Sequence, residues 1–241
     1  MVDERTKNSL TPHKGALAGI RVIDVSRALA GPFSTMLMGD LGADIIKLEM
    51  PGTGDESRYW GPPFATYMSS NRNKRSVEVD LHTERGQQIF MDLVKTADIV
   101  VENFRPGTMK RFNIDYEKVS KVKPDIIYCS ISAYGQDGPM SHRPGIDLMV
   151  QAVSGLMSQT GAPDGPGYKA GGPIADIIGG FSAVTPARWA VALAIIGPSS
   201  NGDGTLSTRA RGIPATAQTN RTAASTGSSS ETLPSAALPP G

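Results

Sequence analysis

Asp176 is the side chain whose setting most invites chemistry. It lies in Gly171-Gly172-Pro173-Ile174-Ala175-Asp176-Ile177-Ile178-Gly179-Gly180-Phe181, flanked by Ile and Ala and with no cation nearby in sequence. An Asp that opens a helix is most often an N-cap. The apolar flanks, and two following glycines that let a ligand or another backbone approach closely, allow a second reading. In it, helix N-terminal amides hold the carboxylate ionised for use as a nucleophile. Residue types alone leave both open. Asn71-Arg72-Asn73-Lys74-Arg75-Ser76 reads either as a solvated charged loop or as a phosphate-recognition segment. The stretches Val101-Glu102-Asn103-Phe104-Arg105-Pro106-Gly107 and Tyr134-Gly135-Gln136-Asp137-Gly138-Pro139 would follow strands, where open α/β sheets bind ligands.

Other chemistries lack their signatures. The turn Ser26-Arg27-Ala28-Leu29-Ala30-Gly31-Pro32 has no Gly-x-Gly-x-x-Gly, and neither a phosphate-loop motif nor a Gly-x-Ser-x-Gly elbow occurs. His13, His82 and His142 have no metal-ligand spacing, and a lone Cys129 permits no internal disulfide framework or Cys-rich zinc module. A net charge of +1 speaks against nucleic-acid binding. With no apolar run of about 18 residues and no signal-like N-terminus, the expectation is a cytoplasmic protein without a membrane span or bound metal.

The elements that must position these residues alternate between β-branched runs and amphipathic stretches. That pattern predicts an α/β fold with a Rossmann-like, mostly parallel sheet and flanking helices. Strands are expected at 20–25, 44–49, 76–80, 98–102 and 125–132. Helices are expected from Pro32 to Gly42, from a Thr83 cap to Thr96, over 116–122, over 147–157, and from Asp176 to about Ile195. Residues 50–72, rich in Gly, Pro, Ser and Asn, read as one long loop. The chain has 241 residues, but 197–241 consist mainly of Ser, Thr, Ala, Gly and Pro and hold no aromatic residue. A segment so poor in large apolar groups is expected to be disordered. The predicted organisation is a globular part over 15–195 and a low-complexity tail over 196–241.

Taken in order from 15 to about 184, the motifs resemble the class III CoA-transferases, the formyl-CoA transferase and carnitine CoA-transferase family. The matching text includes Leu17-Ala18-Gly19-Ile20-Arg21-Val22-Ile23-Asp24, Leu29-Ala30-Gly31-Pro32 and Gly42-Ala43-Asp44-Ile45-Ile46-Lys47-Leu48-Glu49. It continues with Pro51-Gly52-x-Gly54-Asp55-x-x-Arg58, Asn73-Lys74-Arg75-Ser76, the Glu102–Gly107 loop and Tyr134-Gly135-Gln136-x-Gly138-Pro139. The chain corresponds to the first part of the family's large domain.

The resemblance implies that Asp176 relays CoA from an acyl-CoA to a small carboxylic acid through aspartyl anhydride and aspartyl-CoA thioester intermediates, with no tightly bound cofactor. It implies CoA contacts at Leu29, Ala30, Val79, Asp80, Leu81, His82, Asn103, Phe104, Arg105 and Arg111, and an approach to Asp176 lined by Pro144, Gly145, Ile146 and Asp147. Met50 and His82 stand where some members carry Arg and Lys, leaving Arg58, Lys74 and Arg75 as candidate replacements. Racemases of the same fold place a His at the position of Ile146, and an isoleucine cannot exchange a proton, so transfer is favoured over racemisation. Members form interlocked homodimers and continue into a second, smaller domain. After about 184 the text departs from theirs, as a frameshifted or misannotated end would. The chain as written is therefore expected to turn over weakly or not at all, with the apolar face of its last helix (Ile177, Ile178, Phe181, Val191, Leu193) uncovered.

Overall fold

The computed structural model describes residues 15–62 and 65–196, with side chains through residue 185. The tail expected at 196–241 lies outside the described residues except for residue 196. Five parallel strands, β1 (Arg21–Asp24), β2 (Asp44–Glu49), β3 (Lys74–Glu78), β4 (Ile99–Glu102) and β5 (Ile127–Ser130), form one sheet in the order β3-β2-β1-β4-β5. β1 sits at the centre, with Val22 opposite Ile45 of β2 and Ile99 of β4. Parallel strands need crossovers, and these are helical. They are α1 (Ala30–Asp40), α2 (Ala65–Asn71), α3 (Glu84–Val94), α4 (Thr108–Arg111) and α5 (Tyr116–Val122), followed by α6 (Asp147–Val153) and α7 (Ile174–Ile196).

Successive strand residues point to opposite faces, so a buried parallel strand feeds two cores. Along β1, Ile23 joins Phe90, Val94, Val119 and Tyr128 on the face covered by α3 and α5. Val22 joins Met38, Ile45, Val101, Ala183 and Val184 on the face covered by α1 and α7. Gly180 is what lets α7 approach: a Cβ there would stand 2.6 Å from the Ala30 carbonyl oxygen and 3.0 Å from the Phe33 ring. Thr83 caps α3 as expected, its hydroxyl accepting from the Gly86 amide at 3.0 Å. Among the described residues no helix is long and apolar enough to cross a membrane.

Three local expectations need correction. The stretch 50–72 is not one loop, because it holds a 3-10 turn (Glu56–Tyr59) and α2. Glu49 organises it, accepting from the Asp55 amide, both Arg58 nitrogens, Tyr67 Oη and Ser76 Oγ at 2.6–2.8 Å. β3 starts at Lys74, two residues early, because pairing of Ile45 with Lys74 sets its register and the strand lies at an exposed edge. The expected helix over 147–157 ends at Val153, and a separate 3-10 turn spans Leu156–Gln159.

Candidate active site

In the order β3-β2-β1-β4-β5 the crossovers reverse direction between β1 and β4, and the crevice beyond the carboxyl ends of such strands is the ligand-binding position of doubly wound sheets. The turn after β1 forms one wall and is held from three sides. Asn103, following β4, clamps Arg27 by accepting from its amide at 2.8 Å and donating to its carbonyl at 2.7 Å. Asp55 accepts from the Ala28 amide at 3.2 Å. Lys47 of β2, fully buried, donates to the Ser26 carbonyl at 2.8 Å and pairs with Asp55 at 2.9 Å. Ala28 sits at φ 63°, a left-handed conformation that costs a non-glycine residue about 1–2 kcal/mol, and these contacts hold it there.

Below this turn, burial by itself would raise the Asp24 carboxyl. Lys47 and Lys74, with the Ser26 and Thr35 hydroxyls, instead bring it well below the usual carboxylate range. Lys74 is as buried as its partner, donating to Asp24 at 3.0 Å, to the Pro32 carbonyl at 2.8 Å and to Asn71 at 2.7 Å. Lys74 thus leaves the 71–76 cluster for the interior, whereas Arg72, Asn73 and Arg75 stay exposed at its surface. Arg72 and Asn73 bind Asp40, and Arg75 binds Asp44. Arg58 grips Glu49 through two bonds of 2.8 Å. Of the three cations considered as replacements for Arg and Lys in CoA anchoring, Arg58 and Lys74 pair with buried carboxylates, whereas Arg75 pairs with the half-exposed Asp44 and stays exposed itself.

Beside the turn opens a cavity of about 440 Å³ whose walls include Ala30, Asn103, Phe104, Arg105, Pro144, Gly145, Ile146 and Asp176. Residues from four separate stretches of sequence thus meet around one carboxylate. Arg143, absent from the sequence reading, lines the same cavity. Arg105 and Arg143 are both exposed, and neither pairs with a carboxylate among the described residues. Ile131, Val150, Ile174 and Ile178 supply apolar wall, and no histidine is among the lining residues.

Asp176 occupies the first turn of α7, but the helix amides do not hold it ionised. Asp147 takes them instead, its Oδ1 accepting from the Ala175 amide at 2.8 Å and from the Asp176 amide at 3.1 Å. The N-cap reading of Asp176 fails for the same reason: the capping carboxylate comes from α6. Burial first, and then the Asp147 charge, push the Asp176 carboxyl up to about 6, opposite to the depression expected from helix amides. The two glycines after it divide their roles. Gly180 admits α1, whereas Gly179 lines the cavity with nothing within 4 Å of the place a Cβ would take.

The remaining sites inferred from sequence lie outside the cavity. Leu29 precedes α1 without lining it, and Asp147 stands behind Asp176. Val79 and Leu81 put their side chains into the core, while Asp80 and His82 are more open and bond to one another. A run of edge-on rings links this second group to the cavity: His82 to Phe112 at 4.9 Å, and Phe112 to Phe104 at 5.9 Å. Arg111 immediately precedes Phe112 and bonds to Thr108 at 3.1 Å. Ile178 and Phe181 are exposed as expected and Ile177 is half-buried; the side chains of Val191 and Leu193 lie outside the described residues.

A model of CoA-transferase family III matches residues 17–210, past the point near 184 where the sequence reading placed a departure. The chain is 47% identical over 172 residues to succinyl-CoA:glutarate CoA-transferase of Mus musculus, covering 69% of this chain and 39% of that protein. It is 42% identical over 193 residues to acetyl-CoA:oxalate CoA-transferase of Acetobacter aceti, covering 77% and 50%. Among solved structures, a CAIB/BAIF family protein from Brucella suis superposes with a TM-score of 0.72 at 40% identity, over 75% of this chain and 50% of that one. The chain spans half or less of the length of these relatives. Sequence and fold agree, and the chain belongs to CoA-transferase family III.

Proposed function

We propose that the chain carries the site that moves CoA from an acyl-CoA to a carboxylic acid, with Asp176 as covalent relay, and that as written it performs the first attack on the thioester rather than sustained turnover. The observation that carries this reading is a carboxylate pushed up to about 6 that opens on the switch-point cavity. Partial desolvation and a neighbouring negative charge make such a group more basic, and hence more nucleophilic, than a solvated Asp, while it remains mostly ionised at pH 7.

An Asp176 oxygen attacks the thioester carbonyl carbon, the C–S bond breaks, and CoA departs as thiolate, leaving a mixed anhydride. The thiolate attacks the aspartyl carbonyl carbon, expels the first acid and forms an aspartyl-CoA thioester. The acceptor carboxylate then attacks that carbonyl carbon, the C–S bond breaks again, and a second anhydride results. Thiolate attack on the acceptor's carbonyl carbon releases the new acyl-CoA and restores the Asp176 carboxylate. The thioester bond energy is kept throughout, with no further cofactor consumed.

Arg105 lines the cavity next to Phe104, whose ring runs on to Phe112 and His82, and this stretch suits the CoA phosphates and adenine. Arg143 sits on the loop that leads into Ile146 and Asp147 and suits a second carboxylate on the acyl group. Dicarboxylic acids, the kind named in the glutarate and oxalate relatives, are accordingly the proposed substrates. The α-methylacyl-CoA racemase alternative would need a second proton carrier, and Ile146 occupies that place on the wall.

Single-turnover mixing with succinyl-CoA, quenched with hydroxylamine, tests the reading. A hydroxamate on the chain is expected, with a rate that rises with pH and levels off above about 6. The signal should vanish in Asp176→Asn. Deuterium exchange at the substrate α-carbon with no hydroxamate would move the assignment to racemisation.

A further inference from the structure

We infer that Gln151 is a positioning residue for Asp176, acting through Asp147 and the segment 170–173; this rests on the reading of Asp176 as the reacting carboxylate. Gln151 lies one turn after Asp147 on α6, so the two side chains share a helix face. It is fully buried. Its Nε2 donates to Asp147 Oδ2 and to the Gly172 carbonyl at 3.3 Å, and its Oε1 accepts from the Ala170 amide at 2.9 Å. Both N–H groups and the acceptor are thereby used, as a buried amide requires.

The bonds matter because little else fixes the entry to α7. A Cβ at Gly171 or Gly172 would meet nothing within 4 Å, so side-chain packing does not define that backbone. Apart from the adjacent Lys169, whose Nζ donates to the Ala170 carbonyl at 3.3 Å, the side chains bonded to this backbone are, among the described residues, Gln151 at 170 and 172 and Asp147 at 175 and 176. One side chain thus sets the path of the segment and also steadies the carboxylate that caps the helix. An apolar side chain of equal volume would fill the space but leave both unfixed. The direction of Asp176 into the cavity, and its closeness to Asp147, follow from that arrangement.

The charged groups around Asp176 are Asp147 from α6 and the guanidinium groups of Arg105 and Arg143 on the cavity wall. Helix α1, packed alongside, carries only Asp40, at its C-terminal end and bound to Arg72. Without the Gln151 bonds, Asp147 can leave the helix amides, and Asp176 loses its neighbouring charge and part of its burial.

The test compares the wild-type chain with Gln151→Met. Carboxyl carbon NMR, with Asp176→Asn supplying the assignment, should show the Asp176 midpoint falling by about one unit or more toward the ordinary carboxylate range. The rate of hydroxamate formation should drop roughly tenfold to a hundredfold, as expected for a misplaced nucleophile, while succinyl-CoA binding by calorimetry stays within about twofold. An unchanged midpoint and rate would overturn the positioning role and leave the transfer reading intact. A shifted midpoint in a chain that forms no hydroxamate even as wild type would do the reverse. Should Gln151→Met fail to fold, Gln151→Glu keeps size and shape but presents an oxygen to Asp147 in place of a donor. The same loss of rate with binding retained is expected, and a wild-type rate would sink the proposal.

Discussion

Replacing Asp176 by Asn removes the group on which the chemistry is proposed to depend, and the structure implies that it also makes the fold more stable. In the folded chain the carboxyl is raised from 3.8 to about 6, first by burial and then by the Asp147 charge. A raised carboxyl binds its proton more tightly folded than unfolded. Stability therefore falls as pH climbs from about 4 to about 6 and stays lower above that. The shift is about two units, and at 1.36 kcal/mol per unit the full effect approaches 3 kcal/mol. Water still reaches Asp176, so we expect roughly half of that, about 1.5 kcal/mol, to appear as a gain in Asp176→Asn. For a domain of this size it corresponds to about 3–6 °C in melting temperature. Urea melts of both chains at pH 4 and pH 8 measure it. The curves should coincide at pH 4 and separate at pH 8 with the Asn chain more stable. Equal stability at both values, or a less stable Asn chain at pH 8, would refute the picture of a carboxylate held at a cost beside Asp147.

Two further outcomes follow from the walls of the site. Arg143→Gln removes a charge-assisted bond worth about 1.5–3 kcal/mol, so it should weaken use of a dicarboxylic acyl-CoA tenfold to a hundredfold while a monocarboxylic one such as butyryl-CoA is unaffected. Equal losses with both would place Arg143 on the CoA moiety instead. Lys47→Met leaves Asp55 and Asp24 buried with part of their compensation gone, and should cost about 3–5 kcal/mol in urea melts. A loss below about 1 kcal/mol would mean that the turn after β1 does not depend on that ion pair.

Legibility in the sequence followed the range of the interactions involved. The limits of β2 and α5 match the β-branched run Asp44–Glu49 and the stretch Tyr116–Val122, because local pattern and tertiary role agree there. The fold class followed from the alternation of such runs, and the cavity residues from motifs in successive loops. Interactions across long separations were not legible. Lys74 looks like part of a surface cluster until Asp24, 50 residues earlier, is seen beneath it. Glu49 ties together residues 55, 58, 67 and 76 through five bonds that no local pattern announces, so an ordered segment read as a loop. Most consequential is Asp147, whose carboxylate reaches 28 and 29 residues ahead to cap the helix bearing Asp176. That reverses the electrostatics expected for Asp176. Arg143 and Gln151 went unnoticed because a single Arg in a loop, or a Gln in a short helix, carries no spacing signal.

Peptide mass spectrometry of the chain, trapped during one turnover with succinyl-CoA and hydroxylamine, bears most directly on the central claim. One hydroxamate, on the peptide containing Asp176 and absent at pH 4, is the expected result. A modification mapped to another residue, or an unmodified Asp176 in a chain that binds the thioester, would contradict it.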